Sequence, residues 1–381
     1  MDKVRIGVIG VGGMGSSHAG TIQKGEIEGA TLAAVCDIDP ERLAAFDNVE
    51  KFADSKKLIR SGTVDAVIIA TPHYGHTTIG IDALKSGLHV LVEKPISVHK
   101  ADCEKLIAAH TKKKQIFVAM FQMRTQPIYQ KVKELIDKGE LGEIRRVNWI
   151  ITNWFRTESY YASGGWRATW SGEGGGVLLN QCPHNLDLLQ WLCGMPSKMR
   201  AFCQLGKYHN IEVEDDVTAY FEYPNGATGV FITTTGEAPG TNRLEISGER
   251  GSLVVDHGIT FNRTVVPVSE FCATSPARFA TPETWHINIP YHGHATGHRG
   301  IMQNFVNAIL KGEKPIAPAK EGIKSVELAN AMLMSSLQGK PVDLPLNGQA
   351  FARMLKKLIR ESTFVKQTKK VGLNDMQSSF K

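Results

Sequence analysis

The sequence lacks the features that mark secreted, membrane-spanning and nucleic-acid-binding proteins. No two of its six cysteines are spaced as CxxC, and a chain of 381 residues needs no disulfides to hold its core. No apolar run reaches the roughly 18 residues that cross a bilayer, and no secretory leader precedes the first strand. The net charge of +6 is spread along the chain. We therefore expect a cytoplasmic protein that binds neither nucleic acid nor membranes.

Short apolar segments alternate with amphipathic helical segments in the first third of the chain. The strand candidates are rich in β-branched residues and read KVRIGVIG, ATLAAVCD, VDAVIIAT, LHVLVE and QIFVAM. Strands that alternate with helices form parallel sheets covered on both faces. The pattern predicts a doubly wound α/β domain over residues 1–123.

After about residue 140, most strand candidates follow one another directly. They read RRVNWIITNW, MRAFCQLGKY, DVTAYFEY, ATGVFITTT and RLEISG, and Asn225-Gly226 is a strong hairpin turn between two of them. Helical patterns near 177–193, 301–311, 322–338 and 349–361 would cover one face of this sheet. We expect a C-terminal α+β domain with a large, mostly antiparallel sheet over 124–366, and a weakly ordered tail over 367–381.

A glycine-rich turn follows the first strand candidate and opens the first helix. It reads Gly10-Val11-Gly12-Gly13-Met14-Gly15. Gly10 permits a tight turn, Gly12 lets the backbone approach a pyrophosphate, and Gly15 lets the helix pack closely on the sheet. The N–H groups that begin the helix then bind the anion. The motif predicts a dinucleotide-binding Rossmann domain, although a purely structural glycine turn would read the same.

Asp37 ends the second strand candidate, beyond the glycine turn. An acidic side chain at this position hydrogen-bonds the adenosine ribose and repels a 2′-phosphate. It favours NAD over NADP as the cofactor. Two alternatives stay open: Arg42 lies near enough to accommodate NADP, and Asp37 can be a simple turn residue.

Lys94 is the next candidate, within the segment HVLVEKPIS. Ligands of open α/β sheets bind beyond the carboxyl ends of the strands. A lysine held between a strand end and Pro95 reaches the crevice in which a nicotinamide would lie. The alternative is an ordinary surface charge.

In their order and spacing, these segments resemble the oxidoreductases named after glucose-fructose oxidoreductase and inositol dehydrogenase (Gfo/Idh/MocA), over nearly the whole chain. The resemblance is carried by five segments. They are IGVIGVGGMG, the tripeptide Ala-Thr-Pro at 70–72 with His76, ALKSGLHVLVEKP at 83–95, KELIDKGELGEI at 133–144 and GGGVLLNQCPHNLDLLQWLCG at 174–194. It implies an NAD-dependent enzyme acting on CH–OH groups, with the lysine of EKP between cofactor and substrate. It also implies a histidine base preceded by an aspartate four residues earlier. Lys94 and His184 match, whereas Asn180 departs from the pattern, as does His73, where asparagine is more common.

Together, the motifs and the resemblance give a set of site residues. On the cofactor side they are Gly10, Gly12, Gly13, Met14, Gly15, Asp37, Thr71, Pro72, His73, His76, Glu93, Lys94 and Gln122. The catalytic candidates are Lys94, Asn180 and His184.

The chemistry of alcohol oxidation suits these roles. Removing a hydride from a secondary alcohol requires a base for the hydroxyl proton, and histidine, with an ordinary pKa near 6.5, fits. The Lys94 ammonium would orient the hydroxyl and, in reverse, polarise a ketone. If Asn180 and His184 share one helical face at i and i+4, Asn180 can orient a hydroxyl or the imidazole but cannot take up a proton.

Pro183 should break the helix of this segment and place His184 in the first turn of a new one. A helix N-terminus would lower the pKa of His184 and keep it basic. We expect the histidine to work without a carboxylate partner, since Asp187 faces another side, and Asn180→Asp to be tolerated within about tenfold.

The segment NWFRTESYYASGGWRATWSGEGGG indicates a pocket for a sugar or polyol. Aromatic faces pack on the C–H surfaces of sugars, and charged or amide groups bind the hydroxyls. The pocket candidates are Arg124, Arg156, Tyr160, Trp166 and Arg167, beside Asn180 and His184. Core anchoring is the alternative for several of the aromatic residues, and a surface position is the alternative for Arg124.

Histidines cluster at His286, His292, His294 and His298. Zinc sites usually combine a pair of ligands on one element with further ligands elsewhere, and no closing cysteine or acidic partner is evident in the sequence. We predict no metal, and expect this loop to reach the mouth of the active site or a subunit contact.

Two functions remain open on the sequence. The first is an NAD-dependent dehydrogenase or reductase of a sugar, inositol or related polyol. The second is a glycoside hydrolase or lyase that uses tightly bound NAD transiently, through oxidation, elimination and re-reduction. An uncovered sheet face in the second domain would favour a homodimer or homotetramer.

Overall fold

The computed structural model describes residues 2–369, which form two sheets with a hydrophobic core each. The predicted tail lies outside the described residues from residue 370 onward. The strands of the first sheet are Val4–Ile9 (β1), Ala30–Cys36 (β2), Glu50–Phe52 (β3), Ala66–Ile69 (β4), His89–Val92 (β5) and Phe117–Ala119 (β6). Their order is β3-β2-β1-β4-β5-β6, and every neighbouring pair is parallel. The predicted doubly wound sheet is confirmed.

Helices on both faces bury the central strands of this sheet, which is why those strands are continuously apolar. The helices are Gly13–Gln23 (α1), Pro40–Ala44 (α2), Ser55–Arg60 (α3), His73–Lys85 (α4) and Lys100–Ala108 (α5). The strand order reverses between β1 and β4, so the loops at their carboxyl ends border the crevice in which doubly wound sheets bind ligands. Strand β3 escapes prediction because its three residues are mostly polar and exposed.

The second sheet is mostly antiparallel, as predicted. Its strands are Ile144–Ile151 (β7), Lys198–Leu205 (β8), Glu214–Glu222 (β9), Thr228–Thr234 (β10), Asn242–Gly248 (β11), Gly251–Val255 (β12), Ile259–Thr264 (β13), Thr284–Asn288 (β14) and Val342–Asp343 (β15). They run in the order β14-β13-β12-β11-β7-β10-β9-β8-β15, and only β7 and β10 pair in parallel among these neighbours. Asn225-Gly226 turns the chain between β9 and β10, with Gly226 at a φ of 85°.

The remaining helices divide between the two cores. They are Pro127–Asp137 (α6), Glu158–Ala162 (α7), Pro183–Cys193 (α8), Val268–Thr274 (α9), Gly297–Lys311 (α10), Gly322–Gln338 (α11) and Gly348–Glu361 (α12), with 3-10 turns at Gln122–Thr125 and Ala319–Glu321. Helices α8 and α11 pack in the core of the second sheet, as predicted. Helix α10 instead buries Ile301, Met302 and Phe305 in the core of the first sheet. The predicted position of this helix is wrong, because apolar periodicity reports a buried face without identifying what covers it.

The other face of the second sheet is open. It carries exposed apolar side chains, among them Ile150, Phe202 and Tyr220, while their chain neighbours point into the core. All six cysteines are free thiols. Within residues 2–369, no helix combines the length and the apolarity that a bilayer crossing requires.

Candidate active site

The glycine turn between β1 and α1 is packed so closely that only glycine fits at two positions. Gly10 has a φ of 86°, and a Cβ there would lie 2.8 Å from the backbone of Ala70 and Thr71. A Cβ on Gly15 would lie 1.7 Å from the carbonyl oxygen of Gly10. The helix N-terminus is therefore held against the carboxyl end of the sheet, where it can bind an anion.

Asp37 follows β2 and fixes the glycine turn. Its Oδ2 accepts a hydrogen bond from the Val11 N–H at 2.8 Å, and its Oδ1 accepts one from the Asp39 N–H at 3.0 Å. Arg42 Nη1 lies 3.6 Å from the same carboxylate. A carboxylate has further lone pairs beyond these bonds, so the geometry is compatible with the expected ribose contact.

The crevice beside this turn fits a dinucleotide. A Cβ on Gly12 would meet only Arg42 Nη1, at 3.5 Å, so the backbone there is open to approach. Thr71 Oγ1, just before Pro72, and Gln122 Oε1 are buried without a hydrogen-bond partner among the described residues. Because buried polar atoms rarely stay unsatisfied, these two atoms are suited to a bound ligand.

Two histidines of α4 connect the loops around the crevice. His76 places its ring nitrogens 2.8 Å from the carbonyl oxygens of Thr71 and Pro95, which joins the loop after β4 to the loop after β5. The His73 ring contacts the Trp166 ring at a centroid distance of 5.9 Å. Burial is the largest cause that holds the pKa of His73 well below its ordinary value. His73 therefore links the cofactor side to the second domain, whereas His76 holds two loops of the first domain together.

Glu93 places an ionised carboxylate directly beside Lys94. Its Oε1 accepts a hydrogen bond from His18 Nε2 at 2.7 Å, and its Oε2 accepts one from the Lys94 N–H at 3.1 Å. Burial alone would raise the pKa of Glu93, but the bond from His18 and the nearby His298 and Lys94 outweigh it and lower the pKa.

Lys94 extends from the end of β5 into the second domain. Its Nζ donates a hydrogen bond to the carbonyl oxygen of Asn180 at 2.8 Å. Burial lowers the pKa of Lys94, the carboxylates of Glu93 and Glu173 oppose that shift, and Arg167 adds to it. The two carboxylates thus favour the ammonium form in a site that otherwise disfavours charge.

His184 lies in the first turn of α8, which begins at Pro183 as the sequence predicts. The buried imidazole meets the Phe121 ring edge-on at 6.3 Å. Burial holds the pKa of His184 well below its ordinary value, and Lys94 and His298 add to this. The predicted direction is correct, but burial and not the helix terminus is the largest cause. His184 Nδ1 is buried and has no hydrogen-bond partner within residues 2–369.

Asn180 precedes α8 and does not share a regular helical face with His184. The chain forms turns until the helix begins at Pro183, which agrees with the predicted break, so the condition of a shared i,i+4 face is not met. The Asn180 Oδ1 accepts a hydrogen bond from the Tyr160 hydroxyl at 3.1 Å, and its Nδ2 donates to Glu173 Oε1. The Asn180 carbonyl oxygen also accepts a hydrogen bond from Lys94 Nζ. Asn180 therefore connects Lys94 to the substrate-side loop, the segment of residues 153–176 that contains Tyr160 and Glu173.

Glu173 brings a carboxylate into the site that the sequence patterns did not predict. It is 1% exposed, and its Oε2 accepts a hydrogen bond from the Ala168 N–H at 2.5 Å. Burial raises the pKa of Glu173, although Arg167, Asn180 and Lys94 oppose the shift. One signal was available, because Glu173 is the only acidic residue in the glycine-rich run 163–176.

Four predicted pocket residues form one cluster beside Asn180. The Arg167 guanidinium lies 4.6 Å from the ring centroids of both Tyr160 and Trp166, and its Nη1 donates to the Tyr160 hydroxyl at 3.0 Å. The Arg156 guanidinium lies 5.1 Å from the Tyr160 ring. Aromatic rings and guanidinium groups therefore lie against one another in this cluster.

The C-terminal segment adds a further cation to this cluster. The Lys369 N–H donates to the Ala162 carbonyl oxygen at 2.9 Å, which ties the segment to the substrate-side loop. Burial lowers the pKa of the half-buried Lys366. The charge of Glu173 opposes this shift, and the charge of Arg167 adds to it. The sequence patterns gave no indication that a residue so near the C-terminus approaches the pocket.

Arg124 is held in a buried ion-pair network, contrary to the expectation that it faces the substrate. Its Nε and Nη2 donate to the Asp187 carboxylate, both at 2.7 Å, and its Nη1 donates to Glu321 Oε2 at 2.6 Å. The Arg124 side chain is 1% exposed. Its partners lie 63 and 197 residues away along the chain, so no local pattern could reveal them. Arg124 therefore braces the helix that carries His184.

Replacing Asp187 with leucine should lower the free energy of unfolding by about 3 to 5 kcal/mol. The buried Arg124 guanidinium would lose the carboxylate that accepts two of its hydrogen bonds. Urea unfolding followed by circular dichroism measures this loss. The matched control is Lys105→Ala, which breaks an exposed pair with Asp102 and should cost less than about 1 kcal/mol. Equal small losses in both variants would contradict a structural role for Asp187.

Within residues 2–369, His298 is the member of the predicted histidine cluster for which a contact with the site is seen. The centroid of its ring lies 5.5 Å from that of the His18 ring. Burial lowers the pKa of His298 to about 4. The charge of Glu93 opposes this shift, and the charges of His18 and Lys94 add to it. His286, by contrast, contacts Asn262 Oδ1 on the second sheet. No group of three potential metal ligands occurs in the part of the chain that the structure describes.

Comparison with known proteins covers both halves of the chain. Residues 4–121 match the oxidoreductase family with an NAD-binding Rossmann fold, and residues 129–254 match the GFO/IDH/MocA C-terminal domain. The chain is 28% identical over 352 residues to inositol 2-dehydrogenase of Rubrobacter xylanophilus, which covers 89% of this chain and 93% of that protein. It is 24% identical to myo-inositol 2-dehydrogenase of Thermotoga maritima, over 90% of this chain and 98% of that protein.

A solved structure agrees with these matches. The WlbA dehydrogenase from Bordetella pertussis, in complex with NADH and UDP-GlcNAcA, is 27% identical and superimposes with a TM-score of 0.75. The similarity covers 91% of this chain and 100% of that one. Both the doubly wound sheet and the large second sheet therefore have a counterpart in a dehydrogenase that was crystallised with NADH.

Proposed function

The chain belongs to the Gfo/Idh/MocA family of NAD-binding oxidoreductases, and on this basis we propose that it transfers a hydride between NAD and a secondary hydroxyl of a sugar, inositol or related polyol. One observation carries the proposal. Lys94 Nζ donates a hydrogen bond to the carbonyl oxygen of Asn180, which brings this lysine of the first domain to the turn that leads into the helix of His184.

His184 is the proposed base. Burial, with Lys94 and His298, keeps its pKa below the ordinary value, so the imidazole is neutral and able to accept the substrate hydroxyl proton at neutral pH. In the reduction direction the same ring returns that proton. When bound, NAD supplies the hydride acceptor for this chemistry.

Lys94 is the proposed orienting and polarising group. Its ammonium is fixed in direction by the Asn180 carbonyl oxygen and is favoured in its charged form by Glu93 and Glu173, against the effect of burial. A fixed positive charge stabilises negative charge that develops on the substrate oxygen, and it does so more strongly in a buried site than in water.

The cluster of Tyr160, Trp166, Arg167 and Arg156 supports a sugar-sized polar substrate, with Asn180 beside it. The relatives named as inositol 2-dehydrogenases and the WlbA dehydrogenase bound to UDP-GlcNAcA point to the same substrate class. Contacts of the cofactor with the glycine turn, Thr71 and Gln122, and the choice of NAD over NADP through Asp37, remain part of the proposal. So does a homo-oligomer, which the apolar open face of the second sheet favours.

A substrate screen tests the proposal. The purified protein is mixed with NAD and with inositols, aldoses, sugar acids and aryl glycosides in turn, and the absorbance of reduced nicotinamide is followed. We expect a sustained rise with at least one free polyol or sugar. Release of the aglycone from a glycoside with no net reduced nicotinamide would instead support the redox-assisted hydrolase or lyase. Neither signal with any compound would contradict both functions.

A further inference from the structure

We infer that Glu173 supplies the negative charge that residue 180 lacks, and that it acts on the reaction as a positioning residue through Asn180 and Lys94. The inference rests on the proposed function, in which the Lys94 ammonium orients the substrate hydroxyl. The family pattern has a carboxylate at the position of Asn180. Here that position carries an amide, and the amide donates a hydrogen bond to the carboxylate of Glu173.

The contacts of Asn180 explain why it is an amide. Its Oδ1 accepts from the Tyr160 hydroxyl and its Nδ2 donates to Glu173, while its backbone carbonyl oxygen accepts from Lys94 Nζ. Asparagine has separate donor and acceptor ends, so Tyr160 and Glu173 together determine which way the amide faces. An aspartate at 180 would still accept from Tyr160 but would meet Glu173 as a second carboxylate. An ionised carboxylate at 173 therefore favours the amide over a second carboxylate at 180.

The charge of Glu173 also acts on Lys94. Because Glu173 is 1% exposed, solvent screens its charge poorly. Burial lowers the pKa of Lys94, and Glu93 and Glu173 are the carboxylates that oppose it. Removing one of the two should lower that pKa further. Other titratable or charged groups whose charges interact with Lys94 or Glu173 are Arg156, Arg167, Lys366, His73, His76, His184, His298, Glu214, Tyr161 and Cys182.

Relocating the charge tests the inference. In Glu173→Gln we expect kcat to fall by about tenfold with KM within about threefold, because the Lys94 ammonium loses one of the two carboxylates that favour its charged form. In the double variant Glu173→Gln/Asn180→Asp the donor and acceptor exchange places and a carboxylate again lies beside Lys94, so kcat should return to within about threefold of the unsubstituted protein.

Asn180→Asp alone puts two carboxylates in contact, and such a pair must share a proton. Its activity should therefore lie near that of the unsubstituted protein at low pH and fall as the pH rises. This replaces the simpler expectation, made without Glu173, that the substitution is tolerated within about tenfold.

A second readout uses the protein without cofactor or substrate. Acetic anhydride labels uncharged amines, and mass spectrometry of the peptide that contains Lys94 gives the pH at which this amine becomes reactive. Glu173→Gln should make Lys94 reactive at lower pH, and the double variant should restore the original pH. The matched control is Glu212→Gln, because Glu212 accepts from the Trp170 N–H of the same glycine-rich run at 2.9 Å but does not contact Asn180. Neither kcat nor the labelling of Lys94 should change in it.

The inference is overturned if Glu173→Gln keeps its kcat and its Lys94 labelling profile, or if the double variant is no better than Glu173→Gln. Thermal unfolding of each variant shows whether it folds. If Glu173→Gln does not fold, the pH profile of Asn180→Asp and the kcat of the double variant test the inference instead. Failure of the proposed function is distinct. An unsubstituted protein that reduces no nicotinamide refutes that function, while the labelling still shows whether Glu173 controls Lys94.

Discussion

Asparagine in place of His184 should lower kcat/KM for the oxidised substrate by at least about a hundredfold, because it removes the proposed base for the hydroxyl proton. Asparagine keeps a polar side chain of similar size in the buried position but cannot take up a proton. Binding of NAD, measured by quenching of protein fluorescence, should stay unchanged, since the predicted cofactor contacts lie on the first domain.

The pH dependence of the unsubstituted protein provides a second test of His184. Burial, with Lys94 and His298, holds the pKa of His184 below its ordinary value. A base with a lowered pKa stays unprotonated to lower pH, so the acid limb of kcat/KM should lie below about pH 6.5.

The control for His184→Asn is His110→Asn, because the His110 ring contacts the Gln115 carbonyl oxygen and the Phe117 ring, both within the first domain. It should retain full activity. A His184→Asn protein that keeps more than a tenth of the activity, or an acid limb above pH 7, would show that another group accepts the proton.

Methionine in place of Lys94 should lower kcat by about a hundredfold to a thousandfold, the cost of removing one fixed group that stabilises developing charge. Methionine fills a similar volume without the ammonium. Lys94→Arg should not restore activity, because the planar guanidinium has a different shape and hydrogen-bond geometry from the ammonium that meets the Asn180 carbonyl oxygen. Steady-state kinetics with the substrate found in the screen measures both variants.

The loss of Lys94 should also be visible at His184. After burial, the Lys94 charge is the next cause that lowers the pKa of this histidine, so the acid limb of the residual activity should move to higher pH in Lys94→Met. The exposed Lys85 provides the control, and Lys85→Met should leave both kcat and the pH profile unchanged. An unshifted acid limb together with a loss of less than tenfold would mean that Lys94 and His184 do not act on one another.

Features that depend on short-range patterns could be predicted from the sequence. The glycine turn follows from backbone geometry, since Gly10 needs a positive φ and Gly15 has no room for a side chain. The start of α8 at Pro183 follows from the missing N–H of proline. The strands of the first sheet are apolar because helices bury both of their faces.

Contacts between distant segments could not be predicted in this way. Arg124 was placed in the pocket because it follows the last strand of the first sheet, yet Asp187 and Glu321 hold it from other parts of the chain. In the sequence, Glu173 lies in a glycine-rich loop with no pattern that marks it, and its hydrogen bond with Asn180 is visible only in the folded structure. The sequence patterns did not indicate strands β12 to β15, which lie at or near the edges of the second sheet. These strands are short, and β14 is mostly exposed, so they carry little alternation of apolar and polar residues.

The most direct test of the central claim follows the hydride itself. The substrate found in the screen is prepared with deuterium on the carbon that bears the reacting hydroxyl, and the cofactor is analysed by mass spectrometry after turnover. Direct hydride transfer from the substrate should give one deuterium in each reduced nicotinamide and one oxidised sugar or polyol for each of them. Turnover that leaves the cofactor oxidised and unlabelled, while a glycosidic bond is cleaved, would contradict it.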